Sequence, residues 1–360
     1  MQVHQLTQGF SSGDATSNMA LRLQAVLREM GHASEIFSEP AHIGPREKDR
    51  CRDVREHAAR SAADGVLLYH YGGASALSDY FAAAPDRKVL FFHNVTPPEY
   101  FRALFPATAA RLERARDDLG RLAACTDLCC GVSRFNLDTL AGLPFRQTMH
   151  FPGWMDRALL ARPPARAVLR QYADNYTNIL FVGRIAPNKK IEDLIATFAC
   201  LKAGARGRNL RLIVAGTHVG LELYHAWLLS LCRRMGLRDV IFTGHVAQEE
   251  LNAFHALADA FVCASEHEGF GIPILEAMHF GAPVFAYDIP GVRETLGGSG
   301  VLFRTRDFKR AAETIRLVLD NPALRDAIVS GQRERLKAFD ETRLNERVKE
   351  MLERAHGAVA

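Results

Sequence analysis

Short apolar runs alternate with longer stretches of helical spacing along most of this chain. Runs at 3–6, 65–69, 88–92 and 128–132 predict strands, and 17–30, 46–62, 106–125 and 133–140 predict the helices between them. After a break the rhythm restarts, with strands expected at 178–182, 210–215, 240–243, 260–263 and 284–287. Alternation of this kind predicts an α/β chain with two doubly wound parallel sheets. The break is FPGWMDRALLARPPARAVLRQY at 151–172, where Pro152, Gly153, Pro163 and Pro164 read as an interdomain connection. The expected domains are therefore 1–160 and 173–340. From Phe308 onward the pattern is helical, and Leu344, Val348 and Leu352 recur four apart on one face of a last helix.

Composition narrows the classes without naming one. A length of 360 residues favours about two domains, and 48% hydrophobic with 24% charged residues suits a globular chain. A net charge of +4 without a basic arm argues against nucleic acid as a partner. The opening MQVHQLTQGFSSGDA has no signal-like apolar stretch, and no run approaches the ~18 apolar residues of a membrane span, so the cytoplasm is expected. Seven cysteines, an odd number scattered along the chain, suit reduced thiols. Cys125, Cys129 and Cys130 lack the second Cys or His pair of a zinc site, so no metal is expected there.

In open parallel sheets ligands bind beyond the carboxyl ends of the strands, so the loops after each strand carry the candidate chemistry. The stretch SEHEGFGIPILEAMHFG at 265–281 follows one strand and places Glu268 and Glu276 on either side of glycines. Its amides at 269–274, backed by a helix N-terminus, suit an anion. Glu276, expected in the first helical turn, is placed to accept from vicinal hydroxyls such as those of a ribose. A plain strand-to-helix turn with a capping acid is the alternative. FVGRIAPNKKIEDLI offers Arg184 and Lys189, a fork and a point charge that suit a diphosphate, or else a solvated basic turn. His93 closes the strand in KVLFFHNVTPPEYF and is expected to reach a substrate; His70, in LLYHYGGAS, is expected to line the wall behind it. Gly9 and Gly13 follow the first strand in a loop that resembles a dinucleotide turn only in position, with a helix cap expected at Ser17 or Asn18.

The pattern GRIAPNKK, then AG at 215–216, FTGHV at 242–246 and SEHEGFGIPILEAMHFGAPVFAYDIPGVRE, is similar to retaining glycosyltransferases of family 4. Two stretches depart from that family: HFPGWMD stands at 150–156 where Asn-Gly-Val-Asp is usual, and GTHVGLELYHAWLLSLC follows the AG pair. The resemblance implies the GT-B fold, two Rossmann-like domains facing each other across a cleft, with a terminal helix at 341–360 crossing back to the first domain. It implies a nucleotide-diphosphate sugar as donor substrate and no cofactor. Arg184 and Lys189 would hold the diphosphate, Glu276 the ribose, and Glu268 would lie near the donor sugar. Backbone at Phe270, Gly271 and Ile272 would meet sugar and phosphate. The segment Gly244, His245 and Val246 would border the base, with Gly13 and His93 facing the donor from the first domain. GDATSN, HYGGAS and HNVTP are similar to bacterial polysaccharide mannosyltransferases of this family, which implies GDP-mannose, with UDP-sugars as the alternative. A 2-epimerase, a non-catalytic sugar-nucleotide binder and a nicotinamide dehydrogenase are the competing readings. The acceptor expected is a hydroxyl of a glycan or lipid-linked glycan. Tyr100, Phe101 and Phe105 interleaved with Arg102, Arg111, Arg114 and Arg116 would meet it at the inner face of a membrane, or else form a solvated helix.

Overall fold

The computed structural model describes residues 1–11, 13–205 and 207–357 and divides the chain into two compact units. The first comprises Met1–Arg102, Pro106–Trp154 and the chain from Asp340 onward; the second comprises Ala103–Phe105 and Met155–Phe339.

Seven parallel strands build the first unit: β1 (Val3–Thr7), β2 (Ile36–Ser38), β3 (Arg52–Asp53), β4 (Val66–Tyr71), β5 (Arg87–Phe92), β6 (Leu128–Gly131) and β7 (Thr148–His150). Their order is β3-β2-β1-β4-β5-β6-β7, so the sheet grows one way from β1 and the other way from β4. Every residue of β1 and of β4 is buried, as expected of central strands covered on both faces. The last helix, Leu344–Gly357, packs against the first helix, Ala15–Glu29, and against β5 and β6, burying Leu344, Val348 and Leu352. Residues 358–360 of the expected 341–360 helix lie outside the described residues.

Six parallel strands build the second unit: β8 (Tyr176–Val182), β9 (Asn209–Ala215), β10 (Val240–Gly244), β11 (Ala260–Cys263), β12 (Val284–Tyr287) and β13 (Val301–Phe303). Their order is β10-β9-β8-β11-β12-β13, with the reversal of direction between β8 and β11. The core gathers alternate residues of these strands, such as Phe181, Leu212 and Phe285, with Ile195, Phe198 and Leu228 from the covering helices.

Several elements differ from the sequence reading. No helix spans 46–62; the stretch holds β3 and a 3-10 turn, Val54–Ala59, capped by the Asp53 carboxylate accepting from the Arg55 N–H at 2.9 Å. Of the seventeen residues at 46–62 only Glu47, Cys51 and His57 are buried, too few for the apolar stripe of a packed helix. Strands β2, β3, β7 and β13 have two or three residues each, too few to register as apolar runs. The first unit gives way to the second at Trp154, ahead of residue 160. The helix Arg157–Leu160 is held in the second unit because the buried Asn252 amide donates to the carbonyls of Leu159, Leu160 and Arg162. Asp14, rather than Ser17 or Asn18, caps the first helix, accepting from the Ser17 N–H at 2.8 Å. Cys129 and Cys130 are successive buried residues of β6, and burial pushes both thiols up. Among the described residues there is no cluster of three metal-ligating groups, and no helix is long and apolar enough to cross a membrane.

Candidate functional site

The loops after β8 and β11 leave adjacent strands at the point where the second sheet reverses, the position where open α/β sheets bind ligands. They are tied together by backbone. The Glu266 N–H donates to the Asn188 carbonyl at 2.9 Å, and the buried Asn188 amide donates to the His267 carbonyl at 3.2 Å. That zipper sets Lys189 beside Glu268: the Lys189 Nζ stands 2.6 Å from Glu268 Oε2, while Ser265 donates its hydroxyl to Glu268 Oε1 at 2.8 Å. Both charged side chains are mostly covered, at 18% and 15% exposure, so removing either partner would leave the other charge poorly solvated. Lys190 takes the left-handed conformation at φ 50°, ending one turn and opening the helix Ile191–Ala203. Its Nζ lies 3.5 Å from Glu266, which also meets Arg306 at 2.7 Å; Arg306 in turn reaches Asp193.

Arg184 and Lys189 engage different partners. Arg184 is exposed and donates from Nη2 to the Val219 carbonyl in the loop after β9, at 3.2 Å. That loop approaches closely because residue 216 is glycine: a Cβ there would lie 1.9 Å from the Gly183 carbonyl oxygen. The Gly216 N–H donates to the Gly244 carbonyl at 3.0 Å, which brings the end of β10 to the same edge. Gly244 has φ 70°, His245 is exposed and Val246 is partly covered.

Past Glu268 the chain turns through Gly271, at φ 90°, into the helix Ile272–His279, with Pro273 in its first turn. Among the described residues no acceptor meets the N–H groups of Gly269, Phe270 and Gly271. Three such amides at a helix N-terminus are of a kind that suits an anion. The Phe270 ring is buried edge-on against Phe339, and its carbonyl accepts from Thr295, so backbone rather than side chain is offered at this residue. Gly291 holds the far side, since a Cβ there would lie 2.2 Å from the Glu268 carbonyl oxygen.

Glu276 is in the second turn of this helix rather than the first, because the helix starts only at Ile272. The N-terminal dipole does not hold its carboxylate. Beneath it is His255, a fully buried residue absent from the sequence reading, whose Nε2 lies 3.4 Å from Glu276 Oε2. His255 stacks on Phe280, with centroids 5.5 Å apart, and on Phe261. Nothing in the local sequence marks His255, which lies 21 residues before its partner.

In the first unit the corresponding edge carries imidazoles. His93 follows β5 directly, and its Nε2 lies 2.9 Å from His70 Nδ1. His70 is inside β4, which runs to Tyr71, and is 1% exposed; its Nε2 lies 2.9 Å from Gln5 Oε1 in β1. Burial holds His93 down to about 4 and His70 well below the ordinary imidazole range. Gly13 takes φ 78° just before the Asp14 cap, a conformation glycine adopts without strain.

Residues 170–335, which contain every site residue of the second unit, match the family model described as Glycosyl transferases group 1. The second unit thus resembles a group 1 glycosyltransferase domain. The chain is 34% identical over 166 residues to glycogen synthase of Mycobacterium tuberculosis, covering 45% of this chain and 39% of that protein. It is 34% identical over 148 residues to the serotype-specific mannosyltransferase WbdA of Escherichia coli, covering 40% and 18%. The match thus spans about two fifths or less of these curated relatives. HepE of Anabaena, solved in complex with UDP and glucose, superposes with a TM-score of 0.73 at 19% identity over 98% of this chain and 99% of that one. The whole chain therefore has the GT-B fold of two Rossmann-like units.

Proposed function

We propose that this protein is a retaining hexosyltransferase that moves a sugar from a nucleotide-diphosphate sugar to a hydroxyl of a glycan or lipid-linked glycan. The observation that supports it most is the juxtaposition, at one strand-end crevice, of Lys189, Glu268 and three amides without acceptors at 269–271. A diphosphate there takes the amides and competes with Glu268 for Lys189, freeing the carboxylate toward the sugar. Arg184 adds a second cation from the start of the same loop. These fixed donors stabilise charge on the departing diphosphate, so the reading calls for no metal and no cofactor. The acceptor hydroxyl attacks the face the phosphate leaves, and a departing phosphate oxygen takes its proton. Glu276 accepts from the ribose hydroxyls, and Gly244, His245 and Val246 border the base.

The donor we propose is GDP-mannose, a reading supported by the GDATSN, HYGGAS and HNVTP text and by the similarity to WbdA. A UDP-sugar is the second reading, and the likeness to HepE, solved with UDP and glucose, favours it. The setting proposed is bacterial surface polysaccharide synthesis, in the cytoplasm or at the inner face of the membrane. Incubation with GDP-mannose and with UDP-glucose, with and without a glycan acceptor, tests these together. Acceptor-dependent release of nucleoside diphosphate supports transfer. Conversion of the sugar without acceptor indicates an epimerase, and binding without turnover indicates a scaffold; either result overturns the proposal.

A further inference from the structure

The chain of hydrogen bonds from β1 to His93 has a direction. The Gln5 amide nitrogen donates to the Ala20 carbonyl at 2.9 Å, so the amide oxygen is the atom turned toward His70. An oxygen accepts only, so the proton of His70 is on Nε2. A neutral His70 then offers a lone pair at Nδ1, and the 2.9 Å contact there must be filled by an N–H from His93 Nε2. That leaves the other nitrogen of His93, Nδ1, without a proton. Among the described residues none hydrogen-bonds to it.

We infer that His70, oriented by Gln5, is a positioning residue that locks His93 in the Nε2-protonated tautomer, so that its free nitrogen, Nδ1, accepts from a ligand hydroxyl and rejects a phosphate oxygen or carbonyl. The packing supports the lock. The His70 and His93 rings are 5.2 Å apart at an interplanar angle of 21°, and Phe91 stacks on His70 at 5.4 Å, so the buried His70 ring is held by packing as well as by Gln5. The low proton affinity of both rings keeps them neutral near pH 7, where a protonated His93 would present a donor instead. Identifying the hydroxyl as one of a sugar donor rests on the proposed function; the tautomer does not.

Long-range proton–nitrogen correlation spectra of protein labelled with 15N at histidine read the tautomer directly, without substrate. His93 is expected to show a protonated Nε2 and a pyridine-like Nδ1. A protonated Nδ1, or averaging between the two forms, overturns the inference. His70→Phe keeps an aromatic ring but removes the acceptor, and is expected to release His93 into a mixture of tautomers. His70→Gln, which retains an acceptor oxygen, is expected to restore the single form. If His70→Phe does not fold, Gln5→Leu, which frees the proton position of His70, is expected to broaden the same signals. An unchanged His93 spectrum in the variant that folds overturns the role of His70. If transfer is found, kcat for His70→Phe should fall about ten-fold or more while donor KM changes less, and His70→Gln should recover most of it. Loss confined to KM, or no rescue by Gln, would mean that His70 only holds the strand.

Discussion

The two sheet edges handle polarity in opposite ways. At the first, neutral imidazoles are wired backward into the sheet, His93 to His70 to Gln5, and their free atom is an uncharged acceptor. At the second, charges are paired laterally between loops, Lys189 with Glu268 and Lys190 and Arg306 with Glu266. The same strand-loop-helix unit thus supports two kinds of site. A buried group can stay uncharged by giving up its proton, as the histidines do, or keep its charge beside a partner. One edge suits hydroxyls and the other suits an anion.

The sharpest contrast is steric. Gly216→Ala should cost about 3 kcal/mol or more, because the new Cβ would sit 1.9 Å from a carbonyl oxygen that the β8–β9 pairing holds in place. Gly72→Ala at the first edge meets nothing nearer than 3.8 Å and should cost less than about 1 kcal/mol. Urea unfolding followed by the fluorescence of the two tryptophans, Trp154 in the first unit and Trp227 in the second, compares them; equal losses would break the steric reading.

Acid should separate the units next. His4 and His93 are both held down to about 4 in the folded first unit, whereas the unfolded chain takes up their protons near 6.5. A depressed histidine stabilises the fold fully above the unfolded value, and that stability is lost as pH falls from 6.5 toward 4. Each contributes on the order of 2 to 3 kcal/mol over that window. A Trp227→Phe variant, which leaves Trp154 as reporter, should unfold at lower urea at pH 4.5 than at pH 7. A midpoint independent of pH would remove the distinction between neutral and charged edges.

Smaller effects concern the charged edge alone. Lys189→Ala and Arg184→Ala should each lower turnover by about ten-fold or more, and Glu276→Ala should weaken donor binding by a similar factor, as read by initial rates and by titration calorimetry. Wild-type values would dissolve the anion site. Smallest of all, Lys190→Ala should change stability by less than about 1 kcal/mol, since its carboxylate partners at 3.5 and 3.6 Å are partly exposed and Arg306 still meets Glu266. A larger loss in urea unfolding would make the outer pair part of the fold's support.

Much of this was legible in residue order, and the reason is local. Apolar runs long enough to cross a sheet announced β1, β4, β5, β6 and most of the second sheet, while the four strands of two or three residues were silent. The glycine, proline and charge content of 183–190 and 265–276 marked them as loops with chemistry, because turn geometry and helix starts depend on neighbours in sequence. Leu344, Val348 and Leu352 announced a buried helical face for the same reason.

Partnership was another matter. That Glu268 faces Lys189, that Glu276 rests on a buried His255, and that Gln5 sets the proton of His70 are contacts between residues 79, 21 and 65 positions apart. No local propensity encodes them. They follow from strand order, which places β8 beside β11 and β1 beside β4, and from packing, which decides whether a charge finds a partner or an imidazole gives up its proton. Residue order supplied the chemical groups and the turns that present them; the sheets alone decided which group would meet which.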